Sequence, residues 1–405
     1  MSYPITKEFI RSIPKTDLHV HLDGSLRLKS LIELAKTCKV PLPSHTEEGL
    51  QKLIFKERYL DLGEYLRGFA YTCAVMRTPE ALERIAYELA LDNFAEGVRY
   101  IEPRFDPQLF ASEKMSLEEA VLSIARGLER AKREINQKNE ILTHQEPRFE
   151  YGLIGCALRK FEAGFSPYYQ KFISTHAYTP AHQVYPIASL ELVRALVDIR
   201  DRLALPIVGF DLAGEEKGWP ANAHRRAFEY AHQHFLNKTI HAGEAYGPAS
   251  IFQAINLCHA QRIGHGTHLF ASHLVEHLTE ASQQEQYTRA LVEFIADQRI
   301  TIEVCLSSNQ QTIPEMSDLS RHPLGRMLKE RLSITFCTDN RLVSHTTVSD
   351  EIFKAAQAFP VSPKQLKEMI SYGFKRSFMP LPYSEKRAYV RQVMDYYDKL
   401  ETQAT

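Results

Sequence analysis

Residues 15–24 read KTDLHVHLDG. Alternate side chains of an extended strand share one face, so His19 and His21 point the same way, close enough to hold one metal ion. Thr16–Leu22 has the apolar character of a buried strand end, and Asp23-Gly24 begins a turn. The stretch predicts two nitrogen ligands at the rim of a sheet or barrel, where a ligand can reach them. Taken alone, such a pair also reads as two histidines on a half-buried strand, so the remaining segments decide.

Short apolar segments alternate with longer ones of helical period. The strand-like pieces are Asp17–Leu22, Val98–Phe105, Phe149–Ala157, Pro206–Leu212, Thr239–Ala242, Arg262–Gly266, Ile300–Leu306 and Ser333–Thr338. Amphipathic stretches lie between them, among them Pro79–Glu96, Leu117–Lys132, Leu190–Leu203 and Thr288–Gln298. Eight strands separated by helices over 405 residues predict an α/β fold, a (β/α)8 TIM-type barrel with extra helices over its C-terminal mouth. A doubly wound sheet would call for a GxGxxG turn after the first strand, and the chain has none. One domain over 1–405 is expected, with a helical lid insertion at about 28–96 and C-terminal helices at about 362–400. Gly164–Pro186, rich in Tyr, His and Pro, is expected to be an extra loop, and the polar Glu134–Arg148 an exposed one.

Composition narrows the class. Hydrophobic residues make up 44% and charged residues 24%, ordinary for a soluble protein with a sizeable core. A net charge of -1 offers no basic field for nucleic acid. The N-terminal MSYPITKEFIRSIPK lacks the apolar core of a secretion signal, and no apolar run reaches the length of a membrane span. The six cysteines show no paired spacing and read as reduced thiols of a cytoplasmic protein. The expected partners are a small molecule and water, with no nucleic acid and no membrane.

Polar residues recur where a barrel keeps its active site, at strand C-terminal ends. His241 closes TIHAGE, His265 closes RIGHG and Asp339 closes ITFCTDN. With His19 and His21, they can converge as imidazole and carboxylate ligands for a borderline ion such as zinc. Barrel hydrolases with two metals commonly bridge the ions with a lysine ending the fourth strand; here that strand reads PIVGFDLAG, so one ion is expected. Such an ion lowers the pKa of bound water from 15.7 to about 7. Glu244, three residues past His241, lies beside this centre as a proton donor or acceptor. His265 could be a further ligand or a base.

With HVHLDG, DLAGEE, HAGE, RIGHG and CTDN in this order, residues from Ile13 to Phe378 resemble the adenosine deaminases of the metal-dependent hydrolase superfamily. The resemblance implies one zinc per chain and hydrolytic release of ammonia from the purine 6-position. It implies zinc ligation by His19, His21, His241 and Asp339, and protonation of purine N1 by Glu244. His265 would orient and deprotonate the attacking water, with Asp339 helping to position it. Asp23 would bond the ribose 5′-hydroxyl, the Gly214 backbone would contact purine N3, and His21 would also face the substrate. Tyr65, Leu66 and Phe69 resemble a hydrophobic helix that covers the pocket and excludes water.

Two departures from the family pattern stand out. Asn340 occupies a position where a second aspartate is usual, and its amide can donate to purine N7 without taking up a proton. The stretch 164–186 is an insertion whose Lys171 could offset a 5′-phosphate, whereas Asp23 opposes one. The alternatives are a deaminase of adenine, a 5′-modified adenosine or an N6-substituted AMP, a barrel that only binds nucleoside or a partner, and a hydrolase of amides or phosphoesters. The filled acid and ligand positions and the missing lysine speak against the last two.

Overall fold

The computed structural model describes residues 5–60 and 62–404. The outermost residues of the expected 1–405 domain and position 61 of its lid insertion lie outside that description. The strands are β1 (Lys15–His21), β2 (Val98–Phe105), β3 (Glu150–Tyr151), β4 (Leu153–Leu158), β5 (Ile207–Ala213), β6 (Asn237–Ala242), β7 (Arg262–His265), β8 (Thr301–Val304) and β9 (Ile334–Phe336). All pair in parallel in the order β1-β2-β4-β5-β6-β7-β8-β9, with β3 beside β2. The ring closes on the opening motif. The His21 N–H donates to the Asp339 carbonyl at 2.7 Å, and the Asp339 N–H donates to the His19 carbonyl at 2.8 Å. This is the (β/α)8 barrel expected from the sequence.

The expected strand Phe149–Ala157 is two pieces, β3 and β4, broken at Gly152. A Cβ there would lie 2.6 Å from Val208 and 2.8 Å from the Tyr100 hydroxyl, so a close approach by neighbours requires glycine.

Between β1 and β2 run α1 (Leu28–Cys38), α2 (Glu47–Leu53), α3 (Leu62–Val75) and α4 (Pro79–Ala95), the helical insertion expected there. Helix α5 spans Leu117–Asn136, and a one-turn helix at Asn139–Leu142 buries Ile141, so 134–148 is less of a loop than its polarity implied. The expected loop at 164–186 is a correction: it is helical. Helix α6 (Pro167–Thr175) starts on the Ser166 side-chain cap, and α7 (Ala181–Leu203) carries Pro186 inside it. Aromatic packing outweighs poor helix propensity here. Phe161 stacks on Tyr169 at 4.0 Å between centroids and meets Tyr185 at 4.7 Å. Helix α8 (Leu306–Thr312) follows β8, and α9 (Pro363–Arg376) opens on the expected capping box of Ser362 and Gln365. Among the described residues, no helix is long and apolar enough to cross a membrane.

The barrel interior is not purely apolar. Arg104, Arg262, Glu102, Asp211 and Glu303 are fully buried within it. Arg262 bridges Glu303 (2.6 Å) and Glu102, and Arg104 bridges Asp211 (2.7 Å) and Glu303 (2.9 Å). Buried charges persist only when paired and hydrogen-bonded, and each of these is.

Candidate active site

Side chains from the ends of β1, β6, β7 and β9 meet at the barrel mouth. His265 and Asp339 have left-handed backbones, with φ of 66° and 58°. Such conformations cost non-glycine residues about 1–3 kcal/mol and gather at functional sites. The ligand atoms of His19, His21, His241 and Asp339 lie within 4.8 Å of one another. His21 Nε2 is 3.1 Å from His241 Nε2, and Asp339 Oδ1 lies 3.3 and 3.4 Å from His19 Nε2 and His21 Nε2.

These four residues fit a cation. The His19 Nδ1 faces Glu303 at 2.8 Å, and the His241 Nδ1 faces Asp211 at 3.1 Å. Carboxylates accept, so each Nδ1 carries the proton and each Nε2 turns a lone pair inward. The buried His19 Nε2 has no hydrogen-bond partner at all. Lone pairs converging with a carboxylate repel unless a positive ion sits among them. Burial holds His21 well below its ordinary value, keeping it neutral as a ligand must be.

Glu303, Asp211 and Arg104 form the layer beneath; Asp211 opens the DLAGEE motif but was given no role there, and no motif contained Glu303 or Arg104. Each carboxylate grips one histidine while Arg104 joins the two. Glu303 also accepts from Thr239 Oγ1 at 2.9 Å. Burial opposes ionisation of both carboxyls, but Arg104 and the histidines hold each below the ordinary range.

At the rim, the Glu244 carboxylate lies 3.8 Å from His265 Nε2, with Thr312 Oγ1 at 3.5 Å. The Glu244 loop is held by Glu216 of DLAGEE, a residue sequence reasoning passed over. Its buried carboxylate accepts the backbone N–H groups of Gly243, Glu244, Ala245 and Tyr246 at 2.7–3.1 Å, and the Ser250 hydroxyl. Glu215 beside it is only partly buried and pairs with Lys160, so two adjacent glutamates looked alike in sequence. Gly214 follows β5 directly with φ of 93°, a conformation that favours glycine.

Asp23 is buried, its Oδ1 has no partner, and Cys73 Sγ lies 3.7 Å from Oδ2. Burial pushes Asp23 up to about 6. Asp106, a second carboxylate missed in the sequence, is pushed up to about 7 by burial, with Asp23 adding to the rise. It accepts from the Tyr169 hydroxyl of α6, so the 164–186 segment supports the site wall. Lys171 on the same helix is exposed. Asn340 donates one amide hydrogen to the Tyr65 hydroxyl at 2.8 Å, and its buried Oδ1 has no partner. Tyr65 is thus fixed to the mouth, Phe69 packs partly buried near it, and Leu66 is 43% exposed.

Fold and mouth together define a class: a barrel whose strand ends gather three histidines and a carboxylate that could hold a metal ion, with a glutamate near them. A family model described as adenosine deaminase matches residues 14–163 and 170–396. An adenosine deaminase of Mycobacterium avium (strain 104) is 33% identical over 397 residues, covering 97% of this chain and 98% of the relative. A probable adenosine deaminase of Dictyostelium discoideum is 32% identical over 93% of this chain, which spans 42% of that longer relative. Among solved structures, an amidohydrolase from Burkholderia ambifaria with bound Zn superposes with a TM-score of 0.77 at 19% identity, covering 99% of this chain and 96% of that one. The chain belongs to the adenosine deaminase family.

Proposed function

We propose that this protein hydrolyses the 6-amino group of adenosine and 2′-deoxyadenosine, releasing ammonia and leaving inosine or 2′-deoxyinosine. Zinc, one ion per chain, suits His19, His21, His241 and Asp339, and when bound it supplies water activated at neutral pH. Glu244 carries a proton to purine N1, which makes C6 electrophilic. His265 orients the oxygen that adds to C6. The free hydrogen of the Asn340 amide reaches purine N7, and the Gly214 backbone meets N3. Tyr65 and Phe69 exclude water from above, with Leu66 able to fold in over bound substrate.

The observation that carries the substrate assignment is Asp23: a buried carboxylate with one unpartnered oxygen, two residues from His21. It suits the 5′-hydroxyl of a nucleoside and, with Asp106 near, opposes a 5′-phosphate. The six free cysteines, five of them buried, support a cytoplasmic setting. The test is ammonia release from adenosine, 2′-deoxyadenosine, adenine, AMP, N6-methyl-AMP and 5′-methylthioadenosine. Turnover of the first two is expected. Release confined to adenine or to the phosphorylated substrates would overturn the assignment.

A further inference from the structure

We infer that Asn309 and His322 are positioning residues that hold His265 in a single tautomer, with its proton on Nε2 and facing the mouth. The relay starts at a backbone amide, which can only donate. The Leu324 N–H points at His322 Nδ1 at 3.1 Å. That nitrogen therefore keeps its lone pair, and the proton of the neutral ring sits on Nε2. His322 is neutral: burial lowers it to about 3, and His265 nearby adds to the effect. Its Nε2–H donates to Asn309 Oδ1 at 3.2 Å, which fixes which way the amide faces. The Asn309 NH2 group then meets His265 Nδ1 at 3.1 Å. An amide NH2 has no lone pair to offer, so Nδ1 of His265 accepts and its proton resides on Nε2.

That nitrogen is the one 3.8 Å from the Glu244 carboxylate. Its ring also lies 5.0 and 5.2 Å, centroid to centroid, from His19 and His241. All three relay residues are buried, with Asn309 at 0% exposure, so water does not compete for these bonds. The left-handed backbone of His265 aims the ring between Asn309 and the mouth. A histidine so held offers a proton at Nε2 and cannot take one there. His265 thus stabilises the charge on the oxygen that adds to C6, as a preorganised donor, in place of the base role its motif implied; the oxygen adds as hydroxide, its first proton already released to solvent, and its second leaves on the departing ammonia as the C6–N bond breaks. The catalytic consequence rests on the proposed deaminase function; the tautomer itself does not.

The test uses the full-length, metal-loaded protein with 15N-labelled histidine. Two-bond 1H–15N correlation spectra report which ring nitrogen carries hydrogen, and the His265 signal is assigned by its loss in His265→Asn. Wild type should show hydrogen on Nε2 and a lone pair on Nδ1. Asn309→Asp puts an acceptor where the donor stood, so His265 should gain hydrogen on Nδ1. For adenosine, kcat should then fall about 10²–10³-fold, the loss expected for one such donor, with KM and metal content little changed. His322→Phe should loosen the relay and lower kcat, whereas His322→Gln, whose amide can still donate to Asn309, should recover part of it. Hydrogen on Nδ1 of His265 in wild type, or an unchanged His265 pattern in Asn309→Asp, overturns the inference. An Nε2–H tautomer in a protein inactive on adenosine would uphold the relay and sink only the proposed substrate.

Discussion

The floor and the rim of the barrel mouth are both lined with carboxylates, yet they are built on opposite principles. On the floor, Glu303 and Asp211 each face a histidine and share Arg104, at 2.7 and 2.9 Å. Opposite charge offsets burial there, and both stay ionised. On the rim, Asp23 and Asp106 face only neutral donors, the Cys73 thiol and the Tyr169 hydroxyl, and burial pushes them up to about 6 and about 7. The difference teaches what each layer is for. A balanced, ionised floor fixes the outer nitrogens of His19 and His241, as the proposed cation site requires, whereas Asp23 on the unbalanced rim keeps one oxygen without a partner, as the proposed contact with a neutral substrate requires.

The sharpest way to separate the layers is Glu244→Gln. It leaves the floor intact, so metal content measured by elemental analysis should match wild type, while deamination falls by about 10²–10⁴-fold, the usual worth of a general acid. Normal turnover by this variant would remove Glu244 from the chemistry. The complementary change is Glu303→Gln, which keeps the shape of the floor but frees the His19 tautomer. Outer partners of this kind are worth about 10–100-fold in metal affinity. Competition with a chelator should show that loss, and an unchanged affinity would mean that Glu303 serves Arg104 and Arg262 alone.

Glu216 tests whether a rim residue can be held as tightly as the floor. Four backbone N–H groups and one hydroxyl converge on its two oxygens. In Glu216→Gln the new amide must face donors with hydrogens of its own, leaving buried groups unpaired at about 1–3 kcal/mol each. A lower melting temperature and a roughly 10-fold lower kcat, reflecting displacement of Glu244 by a loop that has lost its anchor, are expected with metal retained. Wild-type values for both would show that the loop holds its shape without the charge.

The convergence of His19, His21, His241 and Asp339, with His265 beside them, was legible because it follows rules of spacing. His19 and His21 alternate on one strand, and His241, His265 and Asp339 end strands whose apolar runs are short and bounded. Glu303, Asp211 and Arg104 were not legible, since each lies inside a strand where its partner is set by barrel closure and not by neighbours in sequence. The same holds for Asn309, which bonds His265 across 44 residues of sequence, and for His322, which bonds Asn309 in turn across 13. On the rim, the 164–186 segment read as a loop because its Pro and aromatic content disfavours helix locally. Its helices form because Tyr169 and Tyr185 pack around Phe161, a tertiary gain that propensity does not contain.

The smallest effect probes the rim's imbalance directly, through pH. Asp106 is raised from an ordinary 3.8 to about 7, chiefly by burial. Between those values the folded chain keeps a proton that the unfolded chain has released. The stability this group contributes is therefore full below about pH 4 and is lost as pH rises through about 7, with a slope of up to about 1.4 kcal/mol per pH unit. Asp106→Asn removes the titration while preserving the contacts: its oxygen can still accept the Gln108 N–H that Asp106 caps at 2.8 Å, and its amide can meet Tyr169. Melting temperatures from pH 5 to 8 should fall less steeply in the variant than in wild type, so that the variant gains on wild type as pH rises. Parallel curves would mean that Asp106 is already ionised in the folded protein, and that the rim is balanced by a charge as the floor is.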